Sequence, residues 1–281
     1  MENCILIADS GSTKTDWILK SREHGIFEYH TTGINAVRDN EDAMFRILEE
    51  QLLPALPGEA HIGHVHFYGA GCIPPYSQKV ERCLAAKMPQ TQINVESDLM
   101  GAARALCGNL GGIACILGTG SNSCLYDGRQ IVQNVSPMGF ILGDEGSGAV
   151  MGKELIGRLF KGNLPPTLRE ELLGQYQLTP TDIIDKVYRQ PLPNRFLASL
   201  VPFIHAHREE PGIRSIVTEQ FRLFITRNVA HYNHPEMPLN FTGSIARVFA
   251  EELQEIIAQE GYILGKIIDK PIHELVKFHT L

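Results

Sequence analysis

Asp9-Ser10-Gly11-Ser12-Thr13-Lys14-Thr15-Asp16 stands between two apolar runs, Cys4 to Ala8 before it and Trp17 to Leu19 after it. Short apolar runs on either side of a polar, glycine-containing turn read as the strands of a β-hairpin. Such a turn can aim backbone N–H and side-chain hydroxyl groups at phosphate oxygens, and an acid at the strand end can hold magnesium through its waters. The same residues also read as a plain solvated turn, and the Walker A spacing of a P-loop is absent. A second stretch tips the balance. Ile113 to Leu117 is apolar, Gly118-Thr119-Gly120-Ser121-Asn122 is a turn, and Cys124 to Tyr126 resumes the strand pattern. A repeat distance of roughly 110 residues is far too long for a solenoid and describes two similar halves. The boundary is expected near Cys107 to Gly112, giving domains 1–107 and 108–281.

Working outward, a helix is predicted from Asp42 to Leu53, where Met44, Ile47, Leu48 and Leu52 share a face and Pro54 ends it. Val65 to Tyr68 and Ile93 to Val95 read as buried strands, the second running into Glu96-Ser97-Asp98. From Asp98 the residues Leu99, Ala102, Ala103 and Leu106 have helical spacing, with Asp98 placed to cap the helix and Gly108 to end it. Helices are predicted over Gly146 to Phe160, Thr181 to Tyr188, Ile216 to Asn228 and Arg247 to Gln259, with loops at Gly162 to Pro166 and Gln190 to Pro193. Leu239 to Phe241 is a short strand entering Thr242-Gly243-Ser244. Strands opened by hairpins and mixed with helices argue for α/β domains with mixed sheets rather than a purely parallel sheet.

Several of these junctions carry chemistry. Asp98, at a strand end, can accept a proton from a hydroxyl as phosphoryl transfer requires, or can serve merely as a helix cap. Gly143-Asp144-Glu145-Gly146-Ser147-Gly148 sets two acids among glycines before a helix. Gly243 lies where a strand meets a helix, and a glycine there lets a flat ring approach the backbone.

In this order the five elements resemble the sugar kinase, actin and heat-shock chaperone superfamily. The chain is more closely similar to the BadF/BadG-type ATPase family, and within it to the N-acetylglucosamine kinases. The resemblance runs from Asp9 to about Ala246. It implies two ribonuclease H-like (actin-like ATPase) domains that bind ATP and magnesium and close on a sugar. Asp9 would hold the metal through water. Gly11, Ser12, Thr13 and Lys14 match the first phosphate turn, Thr119 and Gly120 the second, and Gly243 and Ser244 the adenosine motif. Asp98 matches the catalytic base, and it joins Asn35, Ser121, Asn122 and Asp144 in contacting the sugar. The chain departs from the family at Pro137-Met138-Gly139-Phe140, where relatives often carry Gly-Trp-Gly, so Met138 replaces an aromatic residue.

The composition fits this reading. Hydrophobic residues make up 43% of the chain, enough for packed cores, and the formal charge of −7 provides no broad attraction to nucleic acid. No segment offers the roughly 20 consecutive apolar residues of a membrane helix, and Met1 to Leu19 lacks a basic leader, so a cytoplasmic protein is expected. Cys4, Cys72, Cys83, Cys107, Cys115 and Cys124 lack Cys-x-x-Cys spacing and read as reduced, mostly buried thiols. His64 and His66 share a strand face with no carboxylate or cysteine at ligand spacing, and His61, His205, His207, His231 and His234 read likewise as structural.

The expected activity is therefore ATP-dependent phosphorylation of an amino sugar, first of all the 6-hydroxyl of N-acetylglucosamine, in a protein that forms a homodimer in one allowed assembly. The rivals are a glucosamine kinase, an ATPase that activates a dehydratase through a shared iron–sulfur cluster, and a non-catalytic sugar or nucleotide sensor.

Overall fold

A computed structural model describes residues 3–11, 13–21, 25–58 and 61–280 of the chain. Ten strands are present among them: β1 (Asn3–Ser10), β2 (Lys14–Ser21), β3 (Gly25–Thr32), β4 (His61–Gly69), β5 (Gln92–Ser97), β6 (Gly112–Leu117), β7 (Ser121–Tyr126), β8 (Ile131–Gln133), β9 (Leu239–Thr242) and β10 (Leu264–Ile268). They form two five-stranded sheets, ordered β3-β2-β1-β4-β5 and β10-β9-β6-β7-β8. In each, a three-strand antiparallel meander is extended by two parallel strands. The two halves thus repeat one topology, the mixed-sheet α/β architecture expected of ribonuclease H-like domains.

One compact unit contains the described residues up to Leu110, Gly128–Gln130 and those from Lys270 onward; the other contains Gly111–Asp127 and Ile131–Asp269. The first sheet is central where it is most apolar. Leu6, Ile7 and Ala8 of β1 and Trp17, Ile18 and Leu19 of β2 are all buried, so both faces of these strands are covered. Trp17 packs its ring 5.7 Å from that of Phe67 and donates its indole N–H to Thr31 Oγ1 at 3.0 Å, which satisfies the only polar atom it buries. The second unit is built around Ile113, Cys115 and Leu117 of β6, Phe241 of β9, and the buried faces of the helices Gly148–Phe160 and Pro211–Arg227.

The helix predicted over 42–53 exists but changes its winding. It begins at Glu41, capped by Asn40 accepting from the Ala43 N–H, runs α-helical to Ile47, widens to a π-turn over Leu48–Leu52 and closes in a 3₁₀ turn at Leu53–Ala55. The predicted helix over 247–259 is two helices, Ser244–Val248 and Ala250–Gln259, because Phe249 leaves the helical region at φ −114°, ψ 40°. Among the described residues no helix is long and apolar enough to cross a membrane.

Candidate active site

The first phosphate-type turn closes when the Gly11 N–H donates to the Lys14 carbonyl at 3.0 Å. The Thr13 carbonyl accepts from the Gly33 N–H at 3.0 Å, which fastens the turn to the loop that follows β3. The approach is so close that a Cβ on Gly33 would lie 2.2 Å from the Gly11 carbonyl oxygen and 2.6 Å from the Lys14 nitrogen. Ser10, fully buried, exchanges hydrogen bonds with the backbone of Ile34, its Oγ donating to the carbonyl at 3.1 Å and accepting from the N–H at 3.0 Å. Asn35 is thereby carried to the edge of the turn. Its Oδ1 accepts from the N–H groups of Val37 and Arg38, both at 3.1 Å, and its own N–H donates to Asp39 at 2.8 Å. Ser12, the remaining expected phosphate ligand here, lies outside the described residues.

Three carboxylates gather at this end of the first sheet. Asp9 and Asp16 are direct cross-strand partners of β1 and β2. Desolvation pushes the Asp9 pKa up to about 7, the charges of Asp98 and Asp16 push in the same direction, and Lys14 and Lys270 oppose them. Asp16, 7% exposed, meets Lys14 Nζ at 2.9 Å, His30 Nδ1 at 2.6 Å and Lys270 Nζ at 3.9 Å.

Asp98 does not cap the helix Asp98–Cys107. Ser97 does, with extended backbone at φ −68°, ψ 155° and its Oγ accepting from the Met100 N–H at 3.1 Å. Asp98 falls one place later, in the first turn, where its Oδ1 accepts from the Leu99 N–H at 2.9 Å. Burial raises its pKa against the pull of that bond. A carboxylate that burial makes more basic is suited to taking a proton.

In the second unit the turn after β6 is tied to the helix Gly148–Phe160. The N–H groups of Gly148 and Ala149, orphaned at the helix start, donate to the carbonyls of Gly118 and Thr119 at 2.8 and 3.1 Å. Ser147 caps the same helix through the Val150 N–H at 3.2 Å. The carbonyls of the turn are thus spent on the helix, and an anion would meet its donors. Gly243, with φ 109°, lies against the same strand end: a Cβ there would come within 2.4 Å of the Leu117 carbonyl oxygen. Ser244, next to it, opens the helix Ser244–Val248 and is exposed.

Asp144 occupies the left-handed region at φ 56° with its N–H bonded to the Pro137 carbonyl at 2.8 Å. Its Oδ2 would lie 3.1 Å from a Cβ on Gly120. Desolvation raises the carboxyl pKa to about 6, opposed by a hydrogen bond with the Ser121 backbone and reinforced by Glu145. Glu145 itself turns to Arg227 at 3.1 Å and Asn228 at 3.4 Å. Ser121 and Asn122 belong to strand β7 rather than to the turn, and Asn122 Oδ1 accepts from the Ser123 N–H and from Asn134 Nδ2, both at 2.9 Å.

The structure therefore brings Asp9, Gly11, Thr13, Lys14, Asn35 and Asp98 to one end of the first sheet. It brings Thr119, Gly120, Ser121, Asp144 and Gly243 to one end of the second. Asp16 and Lys270 join the first group without having been assigned a role from sequence; the only advance signal was that Asp16 stands opposite Asp9 in a tight hairpin. Five of the six cysteines are buried, and Cys107 is partly so. Burial pushes the thiols of Cys72 and Cys83 up to about 12 and about 11, which suits packing rather than cluster ligation.

Two mixed sheets of one repeated topology, each with a glycine-bearing turn at the corresponding strand end, define the actin-like, ribonuclease H-like fold. No profile of a known family and no curated protein matches the chain. Solved structures do. A candidate N-acetylglucosamine kinase from Porphyromonas gingivalis is 48% identical, with 98% of each chain covered and a TM-score of 0.95. Another from Chromobacterium violaceum, 17% identical over 98% of each chain with a TM-score of 0.76, shares the fold. So does a ROK family glucokinase from Streptomyces griseus, solved with glucose and AMPPNP, at 13% identity over 95% of this chain and 94% of that one, TM-score 0.55. The chain belongs to the N-acetylglucosamine kinase-like family whose motifs its sequence carries.

Proposed function

We propose that this protein is an ATP-dependent kinase that phosphorylates the 6-hydroxyl of N-acetylglucosamine. The observation that carries the reading is the state of Asp98: Ser97 is the N-cap, and the carboxylate that follows it, with Oδ1 accepting from the Leu99 N–H, has its basicity raised by burial. In this reading Asp98 takes the proton of the sugar hydroxyl as the oxygen attacks the γ-phosphorus. Lys14 and the hydroxyl of Thr13 take phosphate oxygens, as does Ser12, while Gly11, its N–H closing the turn on the Lys14 carbonyl, lets the phosphate come close to the backbone. Thr119 and Gly120 do the same in the second unit, and Gly243 with Ser244 receives the adenosine. Ser121, Asn122, Asp144 and Asn35 recognise sugar hydroxyls. Because the Oδ1 atom of Asn122 is already accepting, that residue would offer its amide nitrogen as a donor.

Magnesium fits the first unit as an outer-sphere guest. Asp9 faces Asp16 across the hairpin and feels Asp98, and burial beside those carboxylates raises its pKa to about 7, so a hydrated cation next to it would favour its ionised form. Among the described residues no group of three His, Cys, Asp or Glu side chains is arranged to ligate a metal directly. Bound there through Asp9, the ion would supply charge neutralisation to the transferring phosphoryl group. A cytoplasmic location, where ATP and free sugar coexist, goes with this activity.

The test is product analysis. Incubation with MgATP and N-acetylglucosamine should yield a sugar monophosphate whose phosphorus is coupled, in the NMR spectrum, to the two C6 protons. A phosphate on another oxygen, or ATP hydrolysis without sugar phosphate, would defeat the proposal.

A further inference from the structure

We infer that Lys270 is a second phosphate-binding cation of the nucleotide site and that Asp16 is the positioning residue that holds Lys14 and Lys270 beside the first phosphate turn. The inference rests on the kinase reading above and adds to it two residues to which that reading gives no role.

Lys270 arrives from far along the chain, yet its place is built rather than accidental. It begins the closing segment that belongs to the first unit. Pro271 follows it, restricting its backbone, and the helix Ile272–Phe278 then packs on β1, β2 and the helix Asp98–Cys107. The far end of that segment is fixed as well. His279 stacks on His66 with ring centroids 3.6 Å apart, and its Nε2 lies 2.7 Å from the Tyr68 hydroxyl, which also accepts from Arg104 at 2.8 Å.

The charge arrangement at Asp16 calls for a partner. One buried carboxylate meets two ammonium groups and an imidazole, at 2.9, 3.9 and 2.6 Å. Lys14 and Lys270 are 48% and 44% exposed, so each presents its charge outward while Asp16 tethers it from below. The 3.9 Å separation of Lys270 from Asp16 is too long for a hydrogen bond, and a half-exposed pair of this kind adds little to stability. Stability alone therefore does not account for the second lysine. Asp16 pairs across the hairpin with Asp9, and both lysines pull the raised pKa of Asp9 down, so their charge is felt at the strand end from which the turn leaves. A compact ammonium on a flexible stem, held on the same carboxylate as Lys14 at this strand end, is suited to binding phosphate.

The experiment is calorimetry on the full chain without metal, in EDTA, with ADP, adenosine and N-acetylglucosamine as separate probes. Wild type, Lys270→Met, Lys270→Arg and Asp16→Asn are compared, with thermal unfolding recorded for each. Lys270→Met should weaken ADP by about 10-fold, the usual effect of losing one charge-assisted contact, while adenosine and sugar binding stay within about twofold. Lys270→Arg should recover most of the loss, and Asp16→Asn should weaken ADP while sparing adenosine. Unchanged ADP affinity in Lys270→Met overturns the inference. So does equal weakening of ADP and adenosine with a lowered melting temperature, the mark of a structural role. If wild type binds neither ADP nor adenosine, the kinase reading itself falls, which is a different result from a wild type that binds and a variant that binds equally well.

Discussion

Gly243 approaches the end of β6 so closely that any side chain on it would collide with the Leu117 carbonyl oxygen, 2.4 Å from the ideal Cβ position. The residue before the Gly118 turn and the residue before the helix Ser244–Val248, where the adenosine is proposed to sit, are thus in direct backbone contact. Gly243→Ala must relieve that clash and also hold φ 109°, ψ 160°, a region essentially restricted to glycine that costs another residue about 1–3 kcal/mol before any clash is counted. The substitution should lower the melting temperature by several degrees and weaken nucleotide more than sugar. Thermal unfolding together with separate titrations of the two ligands is the check; an unperturbed protein would mean that the contact is not as tight as described.

Asp98→Asn should reduce kcat by roughly 10²–10⁴, the range for losing a general base, with a smaller change in sugar KM because the amide can still hydrogen-bond. Ser97→Ala provides the contrast. It removes the helix cap, at a cost of about 1 kcal/mol, and should lower stability while leaving most of kcat. Steady-state kinetics on both variants separates the two roles that adjacent residues divide here.

Asp9→Asn should raise the magnesium concentration needed for half-maximal rate, since the carboxylate is proposed to hold the ion's water shell. Magnesium titrations at saturating sugar test it. A variant whose magnesium requirement is normal and whose sugar KM alone rises would move Asp9 out of the metal's surroundings.

Asp144 has a pH signature. Its folded-state pKa, about 6, lies above the ordinary 3.8, so the folded state holds the proton more tightly than the unfolded chain. The resulting stabilisation is complete below 3.8 and is lost as pH rises through about 6. Asp144→Asn should therefore melt higher than wild type at pH 8 and alike near pH 4. It should also bind sugar less well at pH 8, by about 10-fold, because the carboxylate acceptor is gone. Melting curves at both pH values, alongside sugar titrations, would show the opposed effects; a variant less stable at pH 8 would contradict the assigned environment.

What the sequence reveals of this structure is what is local. Cys4 to Ala8 and Ile113 to Leu117 are apolar, bounded by turns, and form the central strands β1 and β6. Two edge strands leave no such trace: β3 is exposed along most of its length, and in β10 Gly265 and Lys266 interrupt the apolar pattern, so neither buries enough of one face to mark a strand, whereas the edge strand β5 is legible from Ile93 to Val95 although it is only half-buried. The helix Ser77–Lys87 buries only Val80, Cys83 and Leu84, a single short stripe among charges. Ser97 and Asp98 are both good caps in adjacent positions, and only the backbone angles decide between them. Lys270 beside Asp16 is a product of tertiary folding alone, since nothing near either residue in sequence announces the other.

The central claim is that phosphoryl transfer to an amino sugar is this protein's chemistry, and ADP release measured in a coupled assay tests it most directly. MgATP should be presented with N-acetylglucosamine, glucosamine, N-acetylmannosamine, glucose and no sugar. The account predicts strong stimulation by N-acetylglucosamine, with one ADP formed per sugar consumed and little release in its absence. ADP release at the same rate with and without any sugar would contradict it.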